Sequence, residues 1–497
     1  MSSSLADLFT IISQHGQPIV RSRVSKAYHF AKQAHQGQIR HTGEPLISHP
    51  LETAKILASW GQSESVIIAA LLHETLELGN ITPEQIKQQF GSDIATLVER
   101  VTQVGQVKLR HSTNSIFLEN ARKMFFALAQ DIRVVFIRLA DRLHNMQTLD
   151  AIPIKKQRRI ALETLEVYAP LAERLGMGHL KGELEDLAFP FIYPKEALWL
   201  DKIAAPHFRH AQHRLQKQLV KLNKIISKAG ITAQVHGRPK HRYSLYKKLI
   251  RPEINKDINS IHDLIALRII TNTESDCYPC LGLIHKLFNP SPHLGISDYI
   301  AQPKPNGYQS IHTRVFDSHG HIIEIQIRTQ SMHEHAEYGA AAHHAYAEAK
   351  AHGTSGSQLE NLDTHKLIKK MDWVHQLSRW QKELSSASDF VTSVKLDALS
   401  HRIYVFSPLG DVYDLPVDAT PIDFAFAVHT NLINQIQAAK VNGRLVSLSH
   451  PLKSGDLVEI IKSKYPRKPS KNWLSFVKTH RARTRITKIL QNKDSQV

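Results

Sequence analysis

Three stretches of this 497-residue sequence carry residue types suited to phosphate chemistry. The first is Gly237-Arg238-Pro239-Lys240-His241-Arg242-Tyr243-Ser244-Leu245-Tyr246-Lys247-Lys248. Arginine offers forked donors to phosphate oxygens, and lysine offers a point charge. Apolar and aromatic residues alternate with these cations, so the segment reads as an anchored cationic loop rather than a solvated face. The second is a pair of acids. Asp263 heads a strand-like run to Ile270, and Glu324 lies in Ile323-Glu324-Ile325-Gln326-Ile327-Arg328. Alternation puts Glu324, Gln326 and Arg328 on one strand face. A carboxylate on each of two strands, beside a cationic loop, suits Mg²⁺-assisted phosphoryl transfer. The third stretch, Asp298 to Thr313, mixes turn residues with Lys304, Asn306, Tyr308 and His312, and a tyrosine ring there can stack on a purine base.

A fourth set lies in the first 150 residues: Arg40 to Pro50 with His49, then Leu71-Leu72-His73-Glu74, then Leu139 to Thr148 with Asp141. Asp141, Asn145 and Thr148 stand at i, i+4 and i+7, one helical face. Several other chemistries are excluded. No Walker-type phosphate loop occurs, and Gly176-Met177-Gly178 follows a helical rather than a strand-like run. Met332-His333-Glu334-His335-Ala336-Glu337 has Glu337 where a zinc protease needs its second histidine. Cys277 and Cys280 form a C-x-x-C without a second pair, and read as two incidental thiols in a reduced compartment.

The elements that must position these groups differ along the chain. Residues 1–195 read as helix after helix. Val66 to Leu72 and Val134 to Ala140 are too apolar for a surface and belong at the centre of an all-helical domain. Residues 196–230 carry a polar, basic helical pattern. Strand character appears next at Ile231 to Val235, Asp263 to Ile270 and His321 to Arg328, with Asn289 to Gly307 as a loop, so residues 196–346 form an α+β domain. Residues 347–400 read as linker and helix. Residues 401–462 predict a small sheet with one helix, turning at Gly410-Asp411, Asn442-Gly443 and Ser454-Gly455-Asp456. Residues 463–497 are a basic tail. From 462 onward 11 Lys/Arg oppose one acid, supplying +10 of a net charge of +18. That excess calls for a polyanionic partner. No stretch has the length of a membrane span and no leader-like segment opens the chain, so the expected location is the cytoplasm.

In order and spacing, the three central stretches resemble the (p)ppGpp synthetase domain of the RelA/SpoT homologue family. Residues 1–195 resemble that family's HD-type hydrolase domain, and 401–462 its β-grasp-like TGS domain. The resemblance implies a nucleotidyltransferase-like centre that transfers pyrophosphate from ATP to the 3′-hydroxyl of GTP or GDP. It implies that Arg238, Lys240, Lys247 and Lys248 hold ATP phosphates. Asp263 and Glu324 would bind Mg²⁺, with Glu324 also taking the 3′-hydroxyl proton. Tyr308 would stack on guanine, with Lys304, Asn306, His312, Gln326 and Arg328 around the nucleotide. In the first block it implies Mn²⁺ held by His49, His73, Glu74 and Asp141, with Arg40, Glu77, Asn145 and Thr148 around the ppGpp to be hydrolysed; Arg122 and Lys123 also match.

Three departures shape the expectation. Gly295-Ile296-Ser297-Asp298 lacks the family's charged pattern before Asp-Tyr-Ile-Ala. His73-Glu74 replaces His-Asp, and the added methylene moves the carboxylate by about 1.5 Å. Glu77-Leu78 replaces a Glu-Asp pair, removing an acceptor whose general-base help is typically worth roughly 10²–10⁴-fold. The expectation is a synthetase of the stringent response with an impaired hydrolase. The alternatives are a working bifunctional synthetase/hydrolase, and a non-catalytic sensor binding tRNA, the ribosome or an acidic carrier protein through the TGS-like unit and basic tail.

Overall fold

The computed structural model describes residues 4–14, 19–105, 131–261, 264–291, 295–304, 307–317, 320–341, 402–428, 435–463, 465 and 469–491. The segment 347–400, expected as linker and helix, lies outside them, as do Asp263, Asn306, Arg122 and Lys123. The described residues fall into two units, one within Met1–Lys108 and Phe126–Lys369 and one within Lys370–Val497.

The first unit opens with helices α1 (Leu5–Gln14), α2 (Arg21–Ala34), α3 (Ser48–Ser59), α4 (Glu64–Leu72), α5 (Thr75–Leu78), α6 (Pro83–Phe90), α7 (Ser92–Gly105), α8 (Ile132–Gln147), α9 (Ile154–Glu163), α10 (Ala169–Arg174) and α11 (Gly178–Ile192). Every residue from Val66 to Leu72 in α4 is fully buried, as is Val134 to Ile137 in α8. A helix apolar on all sides can sit only inside a bundle, and the other helices pack around these two, as the apolar runs predict. The long helix α12 (Pro194–Lys228) then leads into the sheet.

The sheet has six strands: β1 (Ala233–Pro239), β2 (Ile265–Thr271), β3 (Asn289–Pro290), β4 (Ile296–Asp298), β5 (Ile311–Phe316) and β6 (Ile322–Thr329). Their order is β1-β2-β6-β5-β3, with β4 also on β5. Only β2 and β6 run parallel. Helices α13 (Arg242–Leu249), α14 (Glu274–Leu287) and α15 (Gln330–Tyr338) complete the α+β part. One sheet face is apolar: Leu267, Ile269, Val315, Ile323, Ile325 and Ile327 pack against Leu222 and Ile226 of α12 and Cys277, Cys280 and Ile284 of α14. The two cysteines act there as small apolar side chains. Burial raises both thiols, Cys280 to about 11.

Two sequence expectations need correction. The cationic stretch is not a loop. Gly237 to Pro239 complete β1, because Arg238 and Pro239 stand opposite Ala266 and Ile265 of β2. Arg242 onward forms α13, because Leu245 and Leu249, spaced i, i+4, are both fully buried with Phe189 and Leu200. Likewise Asn289 to Gly307 is not all loop, since its backbone supplies β3 and β4 to the free side of β5.

The second unit contains β7 (Arg402–Phe406), β8 (Val412–Pro416), α16 (Pro421–Val428), β9 (Ile436–Val441), β10 (Arg444–Val446), β11 (Val458–Lys462) and α17 (His480–Gln491). It is the small sheet with one helix that the sequence predicts. Strands pair as β10-β9-β11 and β7-β8, and a parallel bridge from Phe406 to Leu457 links the two groups. Asn442 and Gly443 both take positive φ, 51° and 79°, which a tight hairpin between β9 and β10 demands. The basic tail is partly folded. Val477, Ala482 and Ile486 are buried with Ile422, Ala425 and Phe426 of α16. Fully buried Asp423 accepts hydrogen bonds from the backbone N–H groups of Lys478 (3.0 Å) and Thr479 (2.8 Å). Among the described residues, no helix is long and apolar enough to cross a membrane.

Candidate functional site

The first site forms where three helix ends meet. His49 lies in the first turn of α3, His73 and Glu74 occupy the turn between α4 and α5, and Asp141 lies on α8. One ligand atom each from His49, His73 and Asp141 falls within 4.8 Å of the others, and all three residues are buried. Their ring nitrogens are pre-set. His73 Nδ1 lies 2.7 Å from the carbonyl oxygen of Ala70, which only accepts, so Nδ1 carries the proton and Nε2 keeps a lone pair. His49 Nδ1 shares one hydrogen bond with His144 Nδ1 at 2.7 Å. His49 Nε2 stands 3.1 Å from Asp141 Oδ1 and 3.9 Å from Glu74 Oε1, with no hydrogen bond of its own to the described residues. Glu74 Oε2 is equally buried and unpartnered among them.

The surrounding charges favour a cation at this point. Burial by itself raises the Asp141 carboxyl, but Arg138 at 2.7 Å and His49 outweigh it and hold the group ionised, well below the usual range. Asn145 Nδ2 donates to Asp141 Oδ1 at 2.6 Å. Burial, with His49 and Arg40 nearby, pushes His144 down to about 3, so the ring is neutral. Arg40 closes the site, its Nη2 reaching Thr148 Oγ1 at 3.3 Å. Two imidazoles, an ionised carboxylate and a spare carboxylate oxygen fit a divalent transition ion. Of the residues expected here, His49, His73, Asp141, Asn145, Arg40 and Thr148 come together, and Glu74 stands at the edge. Glu77 lies within the field of Arg138. Leu78 is 44% exposed. Sequence reasoning did not assign His144 and Arg138; their spacing from Asp141, three residues on either side, was the available signal.

The second site is the polar face of the sheet. Register places His236, Arg268, Gln326 and His312 side by side across β1, β2, β6 and β5, and Glu324 beside Arg314. Glu324 lies on the central strand. Its carboxylate accepts from Gln326 Nε2 (3.2 Å) and Arg314 Nε (3.3 Å) and stands 3.7 Å from His312 Nδ1. On the β5 side, Tyr308 OH meets His312 Nε2 at 2.8 Å. Lys304 Nζ lies 4.5 Å and 5.0 Å from the ring centres of Tyr299 and Tyr308. Burial pushes His312 down to about 4 and the Tyr308 hydroxyl up.

On the other side, Arg238 is the next-to-last residue of β1, and the backbone N–H of Lys240 donates to the carbonyl of Leu264 (2.9 Å). Helix α11 holds the start of α13 in place. Asp186 accepts from Tyr243 N and pairs with His241 Nδ1, each at 2.9 Å, filling the open N-terminus of α13. Glu185 pairs with Lys247 at 3.0 Å, so Lys247 braces α13 against α11. Gly182 makes room for this, because a Cβ there would lie 2.3 Å from the His241 ring. Glu337 of α15 pairs with two arginines of this face, Arg268 (3.0 Å) and Arg328 (3.2 Å), and His333 Nδ1 accepts from Arg328 (2.8 Å). Arg268 and Glu337 were missed in the sequence. Alternation along β2 was the signal for Arg268; nothing local marked Glu337.

Family models match three parts of the chain: an HD domain over residues 27–178, a region found in RelA / SpoT proteins over 237–351, and a TGS domain over 403–462. Over 498 residues the chain is 41% identical to the guanosine-3′,5′-bis(diphosphate) 3′-pyrophosphohydrolase of Aquifex aeolicus (strain VF5), covering 100% of this chain and 68% of that one. It is 41% identical over 489 residues to a GTP pyrophosphokinase of Myxococcus xanthus, covering 98% and 62%. It is 42% identical over 470 residues to the bifunctional (p)ppGpp synthase/hydrolase SpoT of Escherichia coli (strain K12), covering 95% and 65%. The chain thus spans 55% to 68% of the length of the curated relatives it matches. With three domain matches in order and these identities along its length, the chain belongs to the RelA/SpoT family.

Proposed function

We propose that this protein is a (p)ppGpp synthetase that transfers pyrophosphate from ATP to the 3′-hydroxyl of GTP or GDP. The observation that carries this reading is the place of Glu324: on the central strand, between the cations of β1 and α13 and the Tyr308–His312–Lys304 group. Arg238, Lys240 and Lys248 hold the ATP phosphates, with Lys247 shared between that task and Glu185. Tyr308 stacks on guanine, and Lys304, Asn306, His312, Gln326 and Arg328 fix the acceptor. Glu324 accepts the 3′-hydroxyl proton as the oxygen attacks. Glu324 and Asp263 would hold Mg²⁺, which when bound neutralises charge on the transferred group. The chain's own contribution is positioning and electrostatic complementarity. The test is to incubate purified protein with ATP, Mg²⁺ and GDP or GTP and resolve the nucleotides; ppGpp or pppGpp with AMP is the expected result, and their absence counts against the reading.

A second activity has its own support. His49, His73 and Asp141 converge as a ligand set, and the chain's relatives include a named pyrophosphohydrolase. We propose that these residues, with Glu74, would hold Mn²⁺, which when bound would supply an activated water for hydrolysis of the 3′-pyrophosphate of ppGpp. Arg40, Glu77, Asn145 and Thr148 would surround that substrate. Leu78 supplies no carboxylate, so hydrolysis is slow relative to synthesis. Incubation of ppGpp with Mn²⁺ measures this directly: rapid breakdown marks a fully bifunctional enzyme. For the second unit, the exposed Arg485 and Lys488 of α17 suit a polyanionic partner such as tRNA, the ribosome or an acidic carrier protein.

A further inference from the structure

We propose that Arg314 binds the 5′-phosphate chain of the acceptor nucleotide and so sets how strongly the enzyme takes GTP and GDP. This deepens the synthetase reading and rests on it. β6, with Glu324, separates β1 and β2 from β5 and β4. The cations assigned to ATP, Arg238 on β1 and Lys240, Lys247 and Lys248 after it, all lie on the β1 side. The acceptor must therefore lie on the β5 side, where Tyr308 and His312 stand.

That side is poor in positive charge for a ligand carrying two or three 5′-phosphates. On β4 and β5, Ile296–Asp298 and Ile311–Phe316, Arg314 is the one permanently charged cation. His312 is tied to the Tyr308 hydroxyl at 2.8 Å, and Lys304 lies over the Tyr299 and Tyr308 rings. Arg314 is directly opposite Glu324 in the ladder. Its Nε donates to Glu324 at 3.3 Å, which fixes the guanidinium beside the base. Neither Nη makes a hydrogen bond to a described residue, and the side chain is 39% exposed. The 3′-hydroxyl and the 5′-phosphates hang on the same ribose. A cation bonded to the group that takes the 3′ proton is thus within reach of the 5′ end, and a guanidinium fork matches phosphate oxygens. Asp298, the acid on β4, is turned to its own turn, accepting from the N–H groups of Ile300 and Ala301.

The test compares GTP, GDP and GMP as acceptors at saturating ATP and Mg²⁺. A charge-assisted contact of this kind corresponds to roughly 10- to 100-fold in affinity. Arg314→Ala should raise KM for GTP and GDP by about that factor and for GMP by less, with KM for ATP unchanged. Arg314→Lys, which keeps charge but loses the fork, should fall between. An equal loss of rate with all three acceptors would overturn the inference, because Arg314 would then serve only as a partner to Glu324. If the wild type makes no product at all, the synthetase reading fails instead. Calorimetric titration of GDP into wild type and Arg314→Ala then decides separately, unchanged affinity counting against Arg314. Circular dichroism of Arg314→Ala and of Arg314→Gln checks that both remain folded.

Discussion

Gly182→Ala tests whether helix α11 of the N-terminal bundle positions the ATP cations. The added Cβ would lie 2.3 Å from both Cδ2 and Nε2 of His241, and 2.6 Å from Cε1. Ordinary contact needs about 3.4 Å or more, so the ring must retreat by roughly 1 Å. Its 2.9 Å bond to Asp186 then stretches to about 4 Å, outside hydrogen-bond range. Both groups are about one-fifth to one-quarter exposed, so the loss is about 1–2 kcal/mol rather than that of a fully buried ion pair. Against this, Ala replaces Gly inside a helix, a gain of about 1 kcal/mol. The two nearly cancel, and the melting temperature should move by only a few degrees. Function should not be spared. His241 sits between Lys240 and Arg242 and 3.5 Å from Arg238, so its displacement shifts the cation set. KM for ATP should rise about tenfold, the equivalent of about 1.4 kcal/mol, while KM for the acceptor stays level. Steady-state kinetics with each substrate varied measures this. An unchanged KM for ATP would refute the claim that the α11 contact places the phosphate-binding residues.

Other outcomes are expected from the same structure. On the proposed hydrolase reading, Leu78→Asp should accelerate Mn²⁺-dependent ppGpp breakdown by at least tenfold, because it adds a carboxylate four residues after Glu74 that can accept a proton; position 78 is 44% exposed, so stability should stay within about 0.5 kcal/mol. An unaltered rate would mean that Leu78 is not what limits hydrolysis. Metal-free protein should lose stability as the pH falls from about 6.5 toward 4. Burial depresses His144 to about 3 and His312 to about 4, so the unfolded chain binds more protons throughout that window and stability rises with pH across it, each group adding at most about 1.4 kcal/mol per unit. Urea midpoints that stay flat over this range would contradict the buried, neutral state of these rings.

How far the sequence revealed the molecule depends on the range of the forces involved. The all-apolar runs of α4 and α8 announced a helical centre, because a helix with no polar side has one place to go. The turns at Gly410, Asn442-Gly443 and Gly455 were legible because positive φ selects glycine and asparagine. Strand alternation put Glu324, Gln326 and Arg328 on one face, and the register with β5 and β2 agrees. The cationic stretch was misread as a loop because pairing with β2 and burial of Leu245 and Leu249 are tertiary effects. The grip of Asp186 and Glu185 on α13 was invisible for the same reason, as these residues lie 55 to 62 positions from their partners. His144 stood in plain view, yet only the fold shows that its ring meets His49 across 95 positions.

The central claim is that Glu324 takes the proton of an attacking 3′-hydroxyl at the middle of the sheet. It is tested most directly by Glu324→Gln, which keeps the shape and loses the charge. With ATP, GDP and Mg²⁺, pyrophosphate transfer should fall by at least 10²-fold, while calorimetric binding of GDP and the melting temperature remain near those of the wild type. Transfer at the wild-type rate in this variant would contradict the account.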